Sequence, residues 1–174
     1  MPLTAQFLEP YVRRIFVETG TLTGDGVTSA LNAGFCQVRT IELSKELYWN
    51  AHKRFEHDPR VRCVNGDSGV ALAELITDIA EPVTFWLDGH WSGDGTARGP
   101  EDSPVVKELA QIKAHPINKH IILIDDVRIM GSSFGASLGT LCELLWNINK
   151  DYSLTLETGH LVFPHDVLVA KLRV

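Results

Sequence analysis

The stretch Ile15-Phe16-Val17-Glu18-Thr19-Gly20-Thr21-Leu22-Thr23-Gly24-Asp25-Gly26-Val27-Thr28-Ser29-Ala30-Leu31 decides how the chain is read. Its first three residues form a short apolar, β-favouring run, suited to a strand buried on both faces. Glu18 stands where that strand should end. Gly20, Gly24 and Gly26 follow, with Asp25 and Thr28 placed to start a helix that runs through Ala30 and Leu31. Glycines at a strand-to-helix turn permit a tight bend and let a ligand come close to the backbone amides. The spacing G-x-x-x-G-x-G is neither the dinucleotide pattern G-x-G-x-x-G nor a P-loop, because no Lys-Ser/Thr follows the last glycine. Glu18 and Asp25 beside the loop repel a phosphate and favour a ligand that carries positive charge. Taken alone, the loop also reads as a tight βα turn with no ligand.

Outward from this turn the strand-then-helix order repeats. Gly34 is placed to cap the first helix. Residues 37–43 read as a second strand, and Ser44 caps a helix to about Phe55. Residues 61–64 make a third strand, and residues 70–79 carry apolar side chains at helical spacing. Residues 83–87 make a fourth strand. Residues 104–114 form a helix with proline in its first turn, and residues 120–124 a fifth, strongly apolar strand. After a helix over residues 138–149, the β-like runs 152–157 and 167–173 lie too close together for a crossover helix, so they pair antiparallel. Residues 1–13 are a short lead-in helix or arm. Residues 89–103, with several glycines and prolines and little apolar content, read as a long loop of the kind that is usually functional or mobile. The expected architecture is a single α/β domain over residues 1–174. It is Rossmann-like and doubly wound, a mostly parallel sheet with an antiparallel C-terminal β pair in three αβα layers.

Composition narrows the function. With 44% hydrophobic and 22% charged residues the chain is an ordinary soluble globular protein. A formal charge of −6 and a pI near 5.6 argue against nucleic acid or an anionic membrane as partner. Three cysteines with no C-x-x-C pattern read as reduced thiols in a cytoplasmic protein. No apolar run has the length of a secretory leader core or a membrane span.

All five expected parallel strands end in acid: Glu18, Glu42, Asp67, Asp88 and the pair Asp125-Asp126. Ligands of open α/β sheets bind outside the carboxyl ends of the strands. Turn formation and helix capping account for one or two such acids, though not for Glu18 or Glu42, since glutamate caps poorly. Glu42 follows Gly20 by 22 residues, near the spacing at which an acid reaches ribose hydroxyls. Asp67, with the Ser68 amide, could receive an adenine amino group, and it is equally placed to cap the next helix. Asp88, Asp125 and Asp126 would repel one another unless protons or a cation intervened, and an all-oxygen set selects a hard divalent ion such as Mg²⁺ or Ca²⁺. Adjacent Asp125 and Asp126 can face one ion only if the strand has ended by Asp126. One of them capping and another bonding a loop is the alternative. His90, two residues past Asp88, can be a general base, a ligand or loop polarity. Trp91 and Phe134 are candidates to line a pocket, with Phe85 and Trp86 better suited to the core. S-adenosylmethionine, with its ammonium and sulfonium groups, matches the charge preference of the glycine turn.

These residues resemble class I S-adenosylmethionine-dependent methyltransferases, and more narrowly a metal-dependent, small-molecule O-methyltransferase-like group with an E-x-G-T-x-x-G loop. Glu18-Thr19-Gly20-Thr21-Leu22-Thr23-Gly24 matches that loop. Thr40-Ile41-Glu42-Leu43 matches the ribose-binding strand, Gly66-Asp67-Ser68 the adenine-side turn, Leu87-Asp88-Gly89-His90 the D-G-D-H-type motif and Leu123-Ile124-Asp125-Asp126 the I-D-D motif. The resemblance implies that Glu18, Gly20, Thr21 and Gly24 hold the methionine end of the cofactor. It implies that Glu42 and Leu43 hold the ribose, and that Asp67, Ser68 and Asp88 complete the cofactor site. Asp88, Asp125 and Asp126 would be the metal ligands, and His90 with Asp88 the catalytic pair. The expected reaction is in-line methyl transfer to a small oxygen nucleophile, with the ion lowering the acceptor's pKa and His90 taking its proton. His90 stands where many relatives carry a second aspartate. The extra N-terminal helices that cover the substrate in many relatives are missing, so cover falls to residues 89–103 or to a second copy in a homo-oligomer. The rival expectation is a non-catalytic cofactor-binding or scaffold domain on the same fold.

Overall fold

The structure is a computed structural model that describes residues 3–91, 93, 96–131, 135–159 and 163–173. The apolar run that opens the glycine stretch becomes β1 (Ile15–Thr19), buried at every position because helices cover both of its faces. It lies in the middle of a seven-stranded sheet. On one side are β2 (Gln37–Glu42) and β3 (Val61–Asn65), on the other β4 (Thr84–Leu87) and β5 (Ile121–Ile124), all parallel to it. The strands β6 (Tyr152–Glu157) and β7 (Val167–Leu172) close the sheet in the order β3-β2-β1-β4-β5-β7-β6, with β7 antiparallel to both neighbours.

The helices are α1 (Ala5–Leu8), α2 (Asp25–Ala33), α3 (Lys45–Phe55), α4 (Ser68–Ile76), α5 (Val105–Ala114) and α6 (Leu138–Ile148). Strand alternation sorts the core into two layers. Ile15 and Val17 join Leu72 of α4, Leu109 of α5 and Leu141 of α6 on one face. Phe16 joins Leu8 of α1 and Val27 and Ala30 of α2 on the other, where Phe55 of α3 also packs. The three-layer, doubly wound architecture expected from the sequence is therefore present.

Element ends differ from expectation by a few residues. The helix expected over residues 70–79 starts at Ser68, because the Asp67 carboxylate accepts the Gly69 amide at 2.9 Å and caps it. Gly34 ends α2 in the left-handed conformation, as its position suggested. The strand order reverses between β1 and β4, and the carboxyl ends of these two strands open the crevice that holds the site. Among the described residues no helix is long and apolar enough to cross a membrane.

Candidate active site

After β1 the chain turns at Gly20, whose φ of +85° suits glycine. A Cβ there would lie 2.3 Å from the Asp88 carbonyl oxygen, so the turn presses directly on the end of β4. The Gly20 and Thr21 amides both donate to the Ile41 carbonyl, tying the turn to β2 as well. This brings Leu22 over Glu42. The Glu42 carboxylate accepts the Leu22 amide at one oxygen and the Ser44 amide at the other, each at 2.8 Å. Its backbone carbonyl accepts from Gly66 and from the Asn65 side chain, which fixes the strand end. A carboxylate has about four acceptor positions, so one held by two amides can still accept two hydroxyls of a ligand.

The resulting cleft encloses about 870 Å³ counted with its open mouth. Gly20, Leu22, Glu42, Leu43, Asp67 and Ser68 line one side, and Asp88, Gly89, His90 and Trp91 the other. Six of the nine residues expected to bind cofactor thus line it: Gly20, Glu42, Leu43, Asp67, Ser68 and Asp88. Asp67 serves as helix cap and cleft wall at once.

The other three do not line it. Glu18 is buried beneath the turn, where one oxygen accepts the Thr40 hydroxyl at 2.8 Å, and Thr40 in turn bonds the Thr21 hydroxyl. Its other oxygen rests against Gly26, where a Cβ would come within 1.9 Å. Burial pushes the Glu18 pKa up to about 8; the Thr40 bond opposes this and the charges of Asp88, Glu42 and Asp25 add to it. Gly24 faces the Phe55 ring instead of the cleft. Asp25 pairs with Arg54 at 2.8 Å, and this bond keeps its carboxyl below the usual range. Glu18 and Thr21 therefore support the turn from below, and the charge that Asp25 was expected to offer a ligand is already matched.

The three aspartates expected to form a metal set are split. β5 ends at Ile124, and Asp126 adopts a left-handed backbone with φ 54°, as a shared ion would require. Asp126 nevertheless turns to other partners. One carboxylate oxygen lies 2.9 Å from His90 Nε2, and the other is paired with Arg128. The second ring nitrogen of His90, Nδ1, lies 3.2 Å from Asp88. Asp125 is buried and accepts the Asp126 amide. Ligand atoms gather as Asp88, His90 and Asp126, and separately as Asp125, Asp126 and Asp166. Burial pushes Asp125 up, and the charges of Asp88 and Asp126 add to this, as repulsion among the three predicts. Burial also works against the charged forms of His90 and Asp126. Their mutual bond and the Asp88 contact prevail, lifting His90 to about 10, and with Arg128 they hold Asp126 below the usual range. Both ring nitrogens of His90 thus face carboxylates, a setting that favours its protonated form.

Described residues of the stretch 89–103 border the cleft. The Trp91 amide donates to the Asp102 carbonyl at 2.8 Å, Arg98 lies 4.7 Å over the Trp91 ring, and Arg98 pairs with Asp102. Thr96, Ala97, Gly99, Pro100 and Glu101 add to the lining. Phe85 and Trp86 belong to the core, and Phe134 lies outside the described residues. Sequence reasoning did not single out Thr40, Arg128, Asp166 or Glu108. Glu108, on α5, is 1% exposed beneath Gly89 and Ser68. Burial raises it to about 7, with the Ser68 and Thr19 hydroxyls pulling it back and Asp67 and Asp88 adding to the rise.

No protein-family model matches the chain, and no curated protein is similar to it in sequence at a significant level. Solved structures are similar in fold. A candidate caffeoyl-CoA O-methyltransferase of Staphylococcus aureus superposes with a TM-score of 0.63 at 13% identity, over 97% of this chain and 80% of that one. A candidate rRNA methylase of Clostridium thermocellum gives 0.63 at 14% identity, over 98% and 95%. A Podospora anserina methyltransferase solved with SAH bound gives 0.58 at 14%, over 98% and 76%. Likeness at these identities speaks for architecture alone, and the chain has the Rossmann-like fold of the S-adenosylmethionine-dependent methyltransferases.

Proposed function

We propose that this protein is an S-adenosylmethionine-dependent methyltransferase acting on a small-molecule oxygen nucleophile. The observation that carries the reading is Glu42, its carboxylate fixed by the Leu22 and Ser44 amides and facing a cleft that Asp67 and Ser68 continue. Such a fixed carboxylate accepts both hydroxyl protons of a ribose, a contact that neutral side chains make less well. The Asp67 carboxylate beyond it accepts an exocyclic amino group. The acids of this side suit the positive charge of the methionine end.

In the reaction a lone pair of the acceptor oxygen attacks the methyl carbon as the carbon–sulfur bond breaks. The sulfonium becomes a neutral thioether, and the acceptor loses its hydroxyl proton. Most of the rate comes from alignment of acceptor and sulfonium in the closed cleft. Asp88 lines the cleft and takes the proton, while His90 stays protonated and holds Asp88 and Asp126 in place. Trp91, with Arg98 over its ring, supplies cover that excludes water. That cover supports catalysis over the scaffold reading. The formal charge of −6 and the acids of the cleft support a small acceptor over RNA.

Incubation with methyl-labelled S-adenosylmethionine and a panel of hydroxyl compounds tests the proposal. Label transferred to oxygen in at least one product, and lost in Asp88→Ala, is the expected result. Cofactor binding without consumption by any acceptor would favour the scaffold.

A further inference from the structure

At the end of the sheet opposite the cleft, two buried histidines tie down the connection from α5 to β5. His115 Nε2 lies 3.1 Å from the Ile76 carbonyl at the end of α4. A carbonyl only accepts, so this nitrogen carries a proton. His115 Nδ1 accepts the Ile117 amide at 3.2 Å. His120 is 1% exposed, and its Nδ1 accepts the Val83 amide, just before β4, at 3.2 Å. The neutral His120 ring therefore carries its proton on Nε2. Its centroid lies 5.0 Å from that of Phe85 and 5.3 Å from that of His115. Between the two histidines, the Asn118 carbonyl accepts the Asn149 side chain at 2.9 Å and the Tyr152 hydroxyl at 3.1 Å. One short connection thus joins α4, β4, α6 and β6.

The two rings differ in what a second proton would do. His115 Nδ1 also lies 3.4 Å from the Ile117 carbonyl, which can accept from it. At His120 a proton on Nδ1 would face the proton of the Val83 amide, and that amide, on a fully buried residue, would lose its acceptor. The titratable side chains against the ring are His115 and Tyr152. Acids of the adjoining segments are engaged elsewhere, Asp78 after α4 with Arg39 and Glu81 before β4 with Arg14. Lys113, Lys119, Lys150 and Asp151 are exposed. Burial, with the charge of His115 adding to it, pushes His120 down to about 4, against the pull of the Ile117 backbone.

We propose that this knot is an acid-sensitive lock: it holds the α5–β5 connection to β4 only while the His120 ring is uncharged, and proton uptake there releases it. The stability it contributes is full above the ordinary histidine value of 6.5 and is lost as pH falls from there towards 4. The proposal goes beyond the methyltransferase reading and does not rest on it.

Nuclear magnetic resonance of the whole chain tests it, following the His120 ring and amide exchange at Val83. The ring should keep its neutral, Nε2-protonated signature in the folded protein from pH 8 to 5. Val83 exchange, corrected for its intrinsic pH dependence, should speed up about tenfold between pH 6.5 and 5. In His120→Asn an amide oxygen that cannot charge takes the place of Nδ1, and the acid-driven increase should vanish. His115→Gln keeps a donor for Ile76 and leaves His120 in place, so there the increase should persist, which preserves the test if His120→Asn does not fold. A His120 ring that charges near pH 6.5 while Val83 stays protected would overturn the proposal. So would exchange at Val83 that is equal at the two pH values, an increase that survives in His120→Asn, or one that disappears in His115→Gln.

Discussion

On the β1–β3 side of the cleft the acids are held by neutral donors: Glu18 by the Thr40 hydroxyl, Glu42 by two amides, Asp67 by the Gly69 amide. On the β4–β5 side Asp88 and Asp126 face His90, and Asp126 and Asp166 pair with Arg128, while the buried Asp125 accepts the Asp126 amide. The difference matters for ligands. An amide fixes a carboxylate without cancelling its charge, so Glu42 and Asp67 can keep a negative field for a cationic cofactor. A guanidinium or imidazolium offsets part of it, so the second side presents a weaker field to the acceptor. Both sides hang on the same turn, where Gly20 touches the Asp88 backbone.

That shared point is the first place to break the comparison. Gly20→Val puts a side chain 2.3 Å from the Asp88 carbonyl at a φ of +85°. It should cost roughly 3 kcal/mol or more, a fall in melting temperature of roughly 6–12 °C, and abolish cofactor binding. A scanning calorimetry trace that matches the wild type would mean the two sides are not coupled there.

The neutral-donor side should also show itself in pH dependence. Glu18, raised to about 8, and Glu108, raised to about 7, hold protons in the folded state that the unfolded chain releases near the ordinary value of 4.5. Stability from these groups is full at or below about pH 4.5 and is lost as pH rises through 7 to 8. Glu18→Gln should remove up to about 1 kcal/mol per pH unit of that decline, measured by urea unfolding between pH 5 and 8. An unchanged slope would show that Glu18 is already ionised in the fold.

Cover over the cleft joins the two sides, and Trp91→Ala should loosen it. Cofactor affinity should fall about fivefold, a loss of about 1 kcal/mol in packing and cation–π contact. In the wild type, hydrogen exchange over residues 96–103 should slow when cofactor binds. Exchange equally slow with and without ligand would mean the loop is a fixed wall. The smallest effect belongs to Lys107→Ala. Its pair with Glu101 at 2.9 Å is half exposed, and such pairs contribute little. A thermal-shift assay should show a melting temperature close to that of the wild type.

The sequence made the sheet legible because each strand is an apolar run closed by an acid and followed by a helix with its own cap. Glu42, Asp67 and Asp88 were legible for the same reason, since a residue at a strand's carboxyl end has nowhere to go but the crevice. Glu18 was misread, although alternation held the answer. It shares a face with Phe16 and not with Val17, so its side chain runs under α2 and meets Gly26. The fate of Asp126 was less accessible. Its left-handed backbone is uncommon outside glycine, and its tie to Asp166 runs through Arg128, which lies 38 residues before Asp166 in sequence. His90 was read as a base because nothing in the sequence shows that both of its ring nitrogens meet acids.

Calorimetric titration of S-adenosylmethionine into the wild type and into Glu42→Ala tests the account most directly. Saturable binding to the wild type, weakened in the variant by roughly thirtyfold or more, about 2 kcal/mol for two lost charged hydrogen bonds, is the predicted result. Equal affinity in the two proteins, or no binding to the wild type, would contradict it.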